Sequence, residues 1–227
     1  RVVYPKNGDI IYALEKPISG NLKLWRSNNK GVTWIESGNT PFKEVLSLDI
    51  DPQDSNTLYA AVPNGIYKFN NGIWTEIGKS HGIPEDIYSG NNLFSAQSVV
   101  VDPTNSNKIY VGLNGYGKTT ARHFKSYIFR SIDYGQTWED IGYNLGEYSK
   151  IMSLAVDPRN SDLHASTAHG NYVLVNPSSS TSQQFGESNE TTTGDGGNSG
   201  TNSIPGSINP GVSVPINIAT TTSTTTS

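Results

Sequence analysis

Ser131-Ile132-Asp133-Tyr134-Gly135-Gln136-Thr137-Trp138 is the stretch on which the fold turns. An Asp side chain bonds nearby backbone N–H groups in a tight turn, and a Gly two residues on accepts the positive φ that closes it. The Trp that follows supplies a large apolar plate. The same element stands at Ser27-Asn28-Asn29-Lys30-Gly31-Val32-Thr33-Trp34 with Asn for Asp, and in worn form at Asn70-Asn71-Gly72-Ile73-Trp74.

Between these turns runs a second recurring element, an apolar strand ending in Asp-Pro and leading through a polar turn to another strand. It reads Leu48-Asp49-Ile50-Asp51-Pro52 with Thr57-Leu58-Tyr59-Ala60, then Val99-Val100-Val101-Asp102-Pro103 with Lys108-Ile109-Tyr110-Val111. A third copy is Leu154-Ala155-Val156-Asp157-Pro158, and Val2-Val3-Tyr4-Pro5 with Ile10-Ile11-Tyr12-Ala13 is a degenerate first. Proline ends each first strand because it has no N–H to give to the ladder. Four short strands per unit, repeating every roughly 40–50 residues, describe propeller blades rather than a sandwich. The expected fold is therefore all-β, with about four blades of four antiparallel strands over residues 1–175. The last copy stops early, after His169-Gly170-Asn171-Tyr172-Val173-Leu174-Val175, without its turn element or a fourth strand.

The pattern Ser-x-Asp-x-Gly-x-Thr-Trp resembles the Asp-box, or bacterial neuraminidase repeat. Ser27, Gly31, Trp34, Trp74, Ser131, Asp133, Gly135, Thr137 and Trp138 carry the resemblance. Coupled to an Asp-Pro strand in each unit, it is most similar to the propellers of xyloglucanase-type glycoside hydrolases, sortilin-type receptors and photosystem II assembly factors. Those families close their propellers with more blades. The resemblance thus implies a C-terminal part of a larger propeller, and a chain beginning on Arg1 reads as a processed or excised piece. Standing alone, the first and last blades are expected to expose sheet edges and apolar faces. The likeness to sialidases ends at the Asp-box, because no Arg-Ile-Pro segment or arginine triad accompanies it.

Composition narrows the function classes. Only 34% of the 227 residues are hydrophobic, and the shortfall is local, since from Asn176 onward the chain is almost entirely Ser, Thr, Gly, Asn, Gln and Pro. Such a segment cannot bury enough apolar surface to offset the entropy of ordering it, so residues 176–227 are expected to be a disordered tail or stalk. A net charge of −4 with scattered Lys and Arg argues against a nucleic-acid partner. Without cysteine there is no disulfide framework and no thiolate nucleophile or ligand. The four His residues lack ligand spacing, so neither a metal site nor a cofactor is expected. No Gly-x-Ser-x-Gly elbow supports acyl transfer.

Gly112-Leu113-Asn114-Gly115-Tyr116-Gly117-Lys118-Thr119 matches the phosphate-loop pattern, but a phosphate loop must open a helix. The sequence after it runs straight into another strand, Tyr127-Ile128-Phe129-Arg130, so no nucleotide partner is expected. As a non-repeated loop on a rigid scaffold, this segment offers Tyr116, Lys118, Arg122 and His123 as a mixed aromatic and basic contact surface. A second insertion, Ser80 to Ala96, contributes His81 and Tyr88 as binding candidates. It also holds Glu85 and Asp86, the catalytic candidates if the chain cleaves glycosidic bonds. Being adjacent, those two carboxylates would face opposite ways on a strand, and both insertions also read as ordinary polar loops. Asp51, Asp102 and Asp157 recur at the same place in three of the four copies and are expected to be turn residues.

Asn189-Glu190-Thr191 is an N-glycosylation sequon at the start of the Ser/Thr/Pro-rich tail, which resembles an O-glycosylated stalk. Together these point to an extracellular or cell-surface propeller module that binds polysaccharide or an extracellular protein through its loops. A cell-envelope anchor beyond Ser227 would complete that arrangement. The alternative is a fragment of a glycoside hydrolase acting on xyloglucan or other β-glucans.

Overall fold

The computed structural model describes residues 2–3, 8–79, 81–83, 92–117, 126–142, 145, 150–175 and 186–187. Two compact units divide the chain, Arg1–Asn189 and Glu190–Ser227. The first holds four sheets, each of four antiparallel strands in chain order. They are β1 (Val2–Val3), β2 (Ile11–Glu15), β3 (Lys23–Ser27) and β4 (Ile35–Asn39); then β5 (Ser47–Ile50), β6 (Leu58–Val62), β7 (Gly65–Asn70) and β8 (Ile73–Glu76). The third sheet is β9 (Asn92–Asp102), β10 (Asn105–Gly117), β11 (Ser126–Ser131) and β12 (Glu139–Asp140), and the fourth is β13 (Ile151–Val156), β14 (Leu163–Thr167), β15 (Gly170–Leu174) and β16 (Gly186–Glu187). These are blades of a β-propeller, and no helix occurs among the described residues.

The fourth blade corrects the sequence reading, which leaves it without an outer strand. Gly186–Glu187 pairs with Tyr172 and Val173. A strand of Gly and Glu carries no alternating apolar signal, so only backbone pairing with β15 reveals it.

Consecutive blades stack through three apolar clusters, one per junction. Side chains alternate along a strand, so a strand between two blades feeds both neighbours. On β6, Leu58, Ala60 and Val62 join the cluster with the first blade, while Tyr59 and Ala61 join the one with the third. On β10, Ile109, Val111 and Leu113 face the second blade and Tyr110 the fourth. β6 and the Ile109–Leu113 stretch of β10 carry no polar side chain apart from the Tyr hydroxyls, because neither stretch has a solvent face.

Two regularities recur across the junctions. Tyr12, Tyr59 and Tyr110, at the same place in β2, β6 and β10, are buried toward the following blade. Each has a cation opposite it on the next strand, Arg26, Lys68 and Arg130. Arg26 and Lys68 lie 5.9 and 5.6 Å from the ring centroids, within cation–π range. Aromatic residues of the third strands, Tyr67, Phe129 and Tyr172, pack the other way, onto the preceding blade.

The Ser-x-Asp turns are built from reciprocal hydrogen bonds. Ser131 Oγ accepts from Gly135 N at 2.8 Å, while Asp133 accepts from Thr137 N at 2.8 Å and Thr137 Oγ1 at 2.6 Å. Asn29 takes the place of Asp133 in the first blade, accepting from Thr33 N at 2.8 Å and donating to Thr33 Oγ1 at 2.8 Å. Gly31 and Gly135 sit at φ 87° and 85°, where a side chain is strained. The Asp-Pro corners use the same device, with Asp51 accepting from Gln53 N and Asp102 from Thr104 N, both at 2.9 Å. Burial alone would raise the Asp133 pKa, but hydrogen bonds from Thr137 and Ser131 hold it below its usual value. We expect Asp133→Ala to cost about 1–3 kcal/mol of stability, the range for hydrogen bonds to a charged group. Asp133→Asn should stay close to wild type, because Asn29 already makes the equivalent bonds. Urea denaturation of the two variants checks this, and equal losses would refute the turn assignment.

Candidate functional site

Antiparallel order sends the β2–β3, β4–β5, β6–β7, β8–β9 and β10–β11 connections off the same end of their strands. At that end a cleft of about 450 Å³ opens on the seam between the first and second blades. Its rim comes from three connections: Asn21 before β3, Lys43 and Glu44 before β5, and Asn64 before β7. Its apolar wall is Phe42 and Tyr67.

Phe42 is fixed by its backbone, whose carbonyl accepts from Leu22 N at 3.0 Å and from Thr40 Oγ1 at 2.7 Å. Its buried ring meets Tyr67 at 5.3 Å and Trp74 at 5.1 Å. Tyr67 is half-buried, and burial, reinforced by the Glu76 carboxylate, raises its hydroxyl pKa. The Tyr67 phenol is therefore neutral across the physiological range and can both donate and accept. Lys43 and Glu44 are exposed. A rigid aromatic wall rimmed by two amides and a pair of opposite charges suits a hydroxyl-rich ligand, which stacks an apolar ring face and bonds at its edge. Among the described residues Glu44 is the one carboxylate lining this cleft.

Of the sequence-based candidates, His81 and Tyr116 fall elsewhere on the same end. His81, half-buried, lies in the β8–β9 connection, its Nδ1 2.9 Å from the Lys79 carbonyl and its own carbonyl accepting from Trp138 N at 2.8 Å. Its backbone thereby helps seat Trp138 between the second and third blades. Tyr116 is strand rather than loop, pairing with Leu93 near the end of the long β9–β10 hairpin. Gly112 through Gly117 are likewise strand, so the glycine-rich run is a ladder and not a cradle. At Gly112 an added Cβ would lie 2.8 Å from Ile151 Cγ2, so close packing on the fourth blade accounts for that glycine. Lys118, Arg122, His123, Tyr88, Glu85, Asp86 and Asn189 lie outside the described residues. Among the described residues no three His, Cys, Asp or Glu side chains cluster as a metal site would require.

Sequence reasoning missed the cleft itself. Its signal was present in Pro41-Phe42-Lys43-Glu44, an aromatic among polar residues in a connection that does not repeat.

No family model matches the chain, and no curated protein matches it. Similar solved structures include two of one protein from B. thetaiotaomicron, BT4673. The first is titled as the extracellular domain of a hybrid two-component system, at 18% identity and a TM-score of 0.52 over 81% of this chain. The second is titled as the extracellular domain of a one-component system, at 20% identity and a TM-score of 0.50 over 73% of this chain. The match covers 21% and 20% of those chains, about a fifth of their length. At such identity the likeness is one of fold.

Proposed function

We propose that this chain is an extracellular or cell-surface module of the Asp-box type that binds a carbohydrate through the loop end of its blades. The observation that carries the reading is the Phe42–Tyr67 wall with its amide and charged rim, placed at the end where the non-repeated insertions also leave the scaffold. Tyr116, Lys118, Arg122, His123, His81 and Tyr88 would extend the contact surface along that end. The extracellular assignment draws support from the Asn189 sequon, the stalk-like composition of residues 176–227 and the fold likeness to extracellular domains. In this reading the tail holds the blades away from the surface.

A glycan array with the whole chain, run beside hydrolysis assays on β-glucans, tests the proposal. Saturable glycan binding without product is the expected result. Tyr67→Ala should weaken it about tenfold or more, the equivalent of a stacked ring worth about 1.4 kcal/mol. Product release would move the assignment to a glycoside hydrolase, with Glu85 and Asp86 the first carboxylates to replace. Binding indifferent to Tyr67→Ala would remove the cleft from the site, and silence on both assays would point to a protein partner.

A further inference from the structure

We infer that Asn71, at the tip of the β7–β8 hairpin, is a site of spontaneous deamidation, where the folded chain loses a side-chain amide to attack by its own backbone. Four Asn-Gly pairs stand in the sequence, Asn7-Gly8, Asn64-Gly65, Asn71-Gly72 and Asn114-Gly115. Such a pair is reactive because glycine has no side chain to keep its backbone nitrogen away from the Asn amide carbon. Asn7 lies outside the described residues, and the fold treats the other three pairs differently.

Asn114 is locked. It is buried, its Oδ1 accepts from Ile151 N at 2.8 Å and from Ser126 Oγ at 2.9 Å, and its Nδ2 donates to the Ile151 carbonyl at 2.8 Å. At Asn64 the side chain is exposed but the attacking nitrogen is held. Gly65 is buried and pairs with Val62 across the two-residue turn, and an added Cβ there would meet Glu76 Oε1 and the Tyr67 ring at 3.4 Å. Asn71 has neither restraint. Asn71 and Gly72 are both exposed, the ladder closes on Asn70 and Ile73 so that the Gly72 N–H falls outside it, and nothing lies within 4 Å of a Cβ built on Gly72. The first and third blades make the same left-handed step before glycine with Lys30 (φ 56°) and Tyr134 (φ 62°), where the second has Asn71 (φ 50°). Lys and Tyr have no amide to lose, so of these three turns the worn one is the one that can react.

In the reaction the Gly72 backbone nitrogen attacks Asn71 Cγ, and the new C–N bond closes a five-membered succinimide. The side-chain nitrogen leaves as ammonia, taking the proton that Gly72 N gives up. Water then opens the ring at either carbonyl, to aspartate or to isoaspartate. Aspartate keeps the turn, since Asp-Gly suits a two-residue hairpin with positive φ at both positions. Isoaspartate adds a methylene to the backbone and cannot close the same turn. It loosens β8, whose Trp74 packs on Phe42 and on Phe69 with centroids 5.1 Å apart in each case.

Incubation of the whole chain in mildly alkaline buffer, followed by peptide mapping with mass spectrometry, reads each site by the mass gained when an amide becomes an acid. The same incubation in urea supplies the unfolded reference, in which Asn64, Asn71 and Asn114 should react at similar rates. In the folded chain Asn64 and Asn114 should slow about tenfold or more, because they react only when their hydrogen bonds open. Asn71 should keep most of its unfolded rate. Protection of Asn71 as deep as that of the other two would overturn the proposal, and so would Asn64 or Asn114 reacting as fast as Asn71 in the folded chain.

Discussion

Replacing Trp138 by Ala is expected to lower the stability of the chain by about 3–5 kcal/mol, the usual loss for a buried Trp or Phe cut to Ala. Trp138 is 6% exposed, and its Nε1 donates to the Ile77 carbonyl at 2.6 Å across the junction between the second and third blades. Truncation would empty the seat and leave both the Ile77 carbonyl and the surrounding apolar wall unpaired. The same substitution at Trp34 should cost about 1 kcal/mol or less, near the ordinary range for surface changes. Trp34 is 38% exposed and donates only to Gly31 of its own turn, at 3.1 Å. The seat can also be attacked from the other side. At Gly82, φ is +106° and an added Cβ would lie 2.6 Å from the Trp138 carbonyl oxygen, so Gly82→Ala should destabilise as well. Denaturant midpoints for the three variants check the ranking, and a Trp34 loss equal to that of Trp138 would show that the turn, not the seat, uses the ring.

The second large effect concerns pH. Asp49 stands on β5 where β9 and β13 carry Val100 and Ala155, and its carboxylate accepts from Val101 N at 2.8 Å across the junction and from Ile50 N at 2.9 Å. Burial raises its pKa to about 6, against the hydrogen bonds from Val101 and Ile50, and the Asp51 carboxylate adds to the rise. The folded chain therefore holds a proton that the unfolded chain has already released between about pH 4 and 6. Stability from this group is greatest below that window and declines as pH rises through it, the reverse of a salt-bridged Asp. A rise of about two pKa units bounds the loss near 3 kcal/mol, and partial exposure of Asp49 reduces it. Asp49→Asn keeps a carbonyl acceptor for Val101 and cannot ionise. It should match wild type near pH 4, exceed it by about 1–3 kcal/mol near pH 8 and flatten the slope between. Thermal or urea unfolding at the two pH values decides the matter. A variant weaker than wild type near pH 8 would mean that the charge helps hold the junction.

Much of the blade was legible in the chain because its signals are local. A turn that needs Ser, Asp and Gly at fixed offsets announces itself, since the bonds of Asp133 reach no further than four residues. The Asp-Pro corners are equally local, as Asp51 bonding to Gln53 and Asp54 shows. The strand at Gly186–Glu187 was not legible, having neither alternation nor a turn motif. The cleft was hidden for a different reason. Phe42 and Tyr67 are 25 positions apart by number, and their meeting at 5.3 Å depends on how the second blade stacks on the first. A Tyr in an alternating strand gives no sign of which neighbour it will touch.

Hydrophobic period, turn chemistry and repetition, all readable along the chain, determined that this protein is built of four-stranded antiparallel blades. Tertiary structure alone decided which faces of those blades are covered. Tyr12, Tyr59 and Tyr110 are buried while His164, at the same place in its strand, is exposed, and Trp138 is seated while Trp34 is not. A blade's own residues specify its hydrogen-bond ladder, whereas the burial of its faces depends on the neighbour stacked against it.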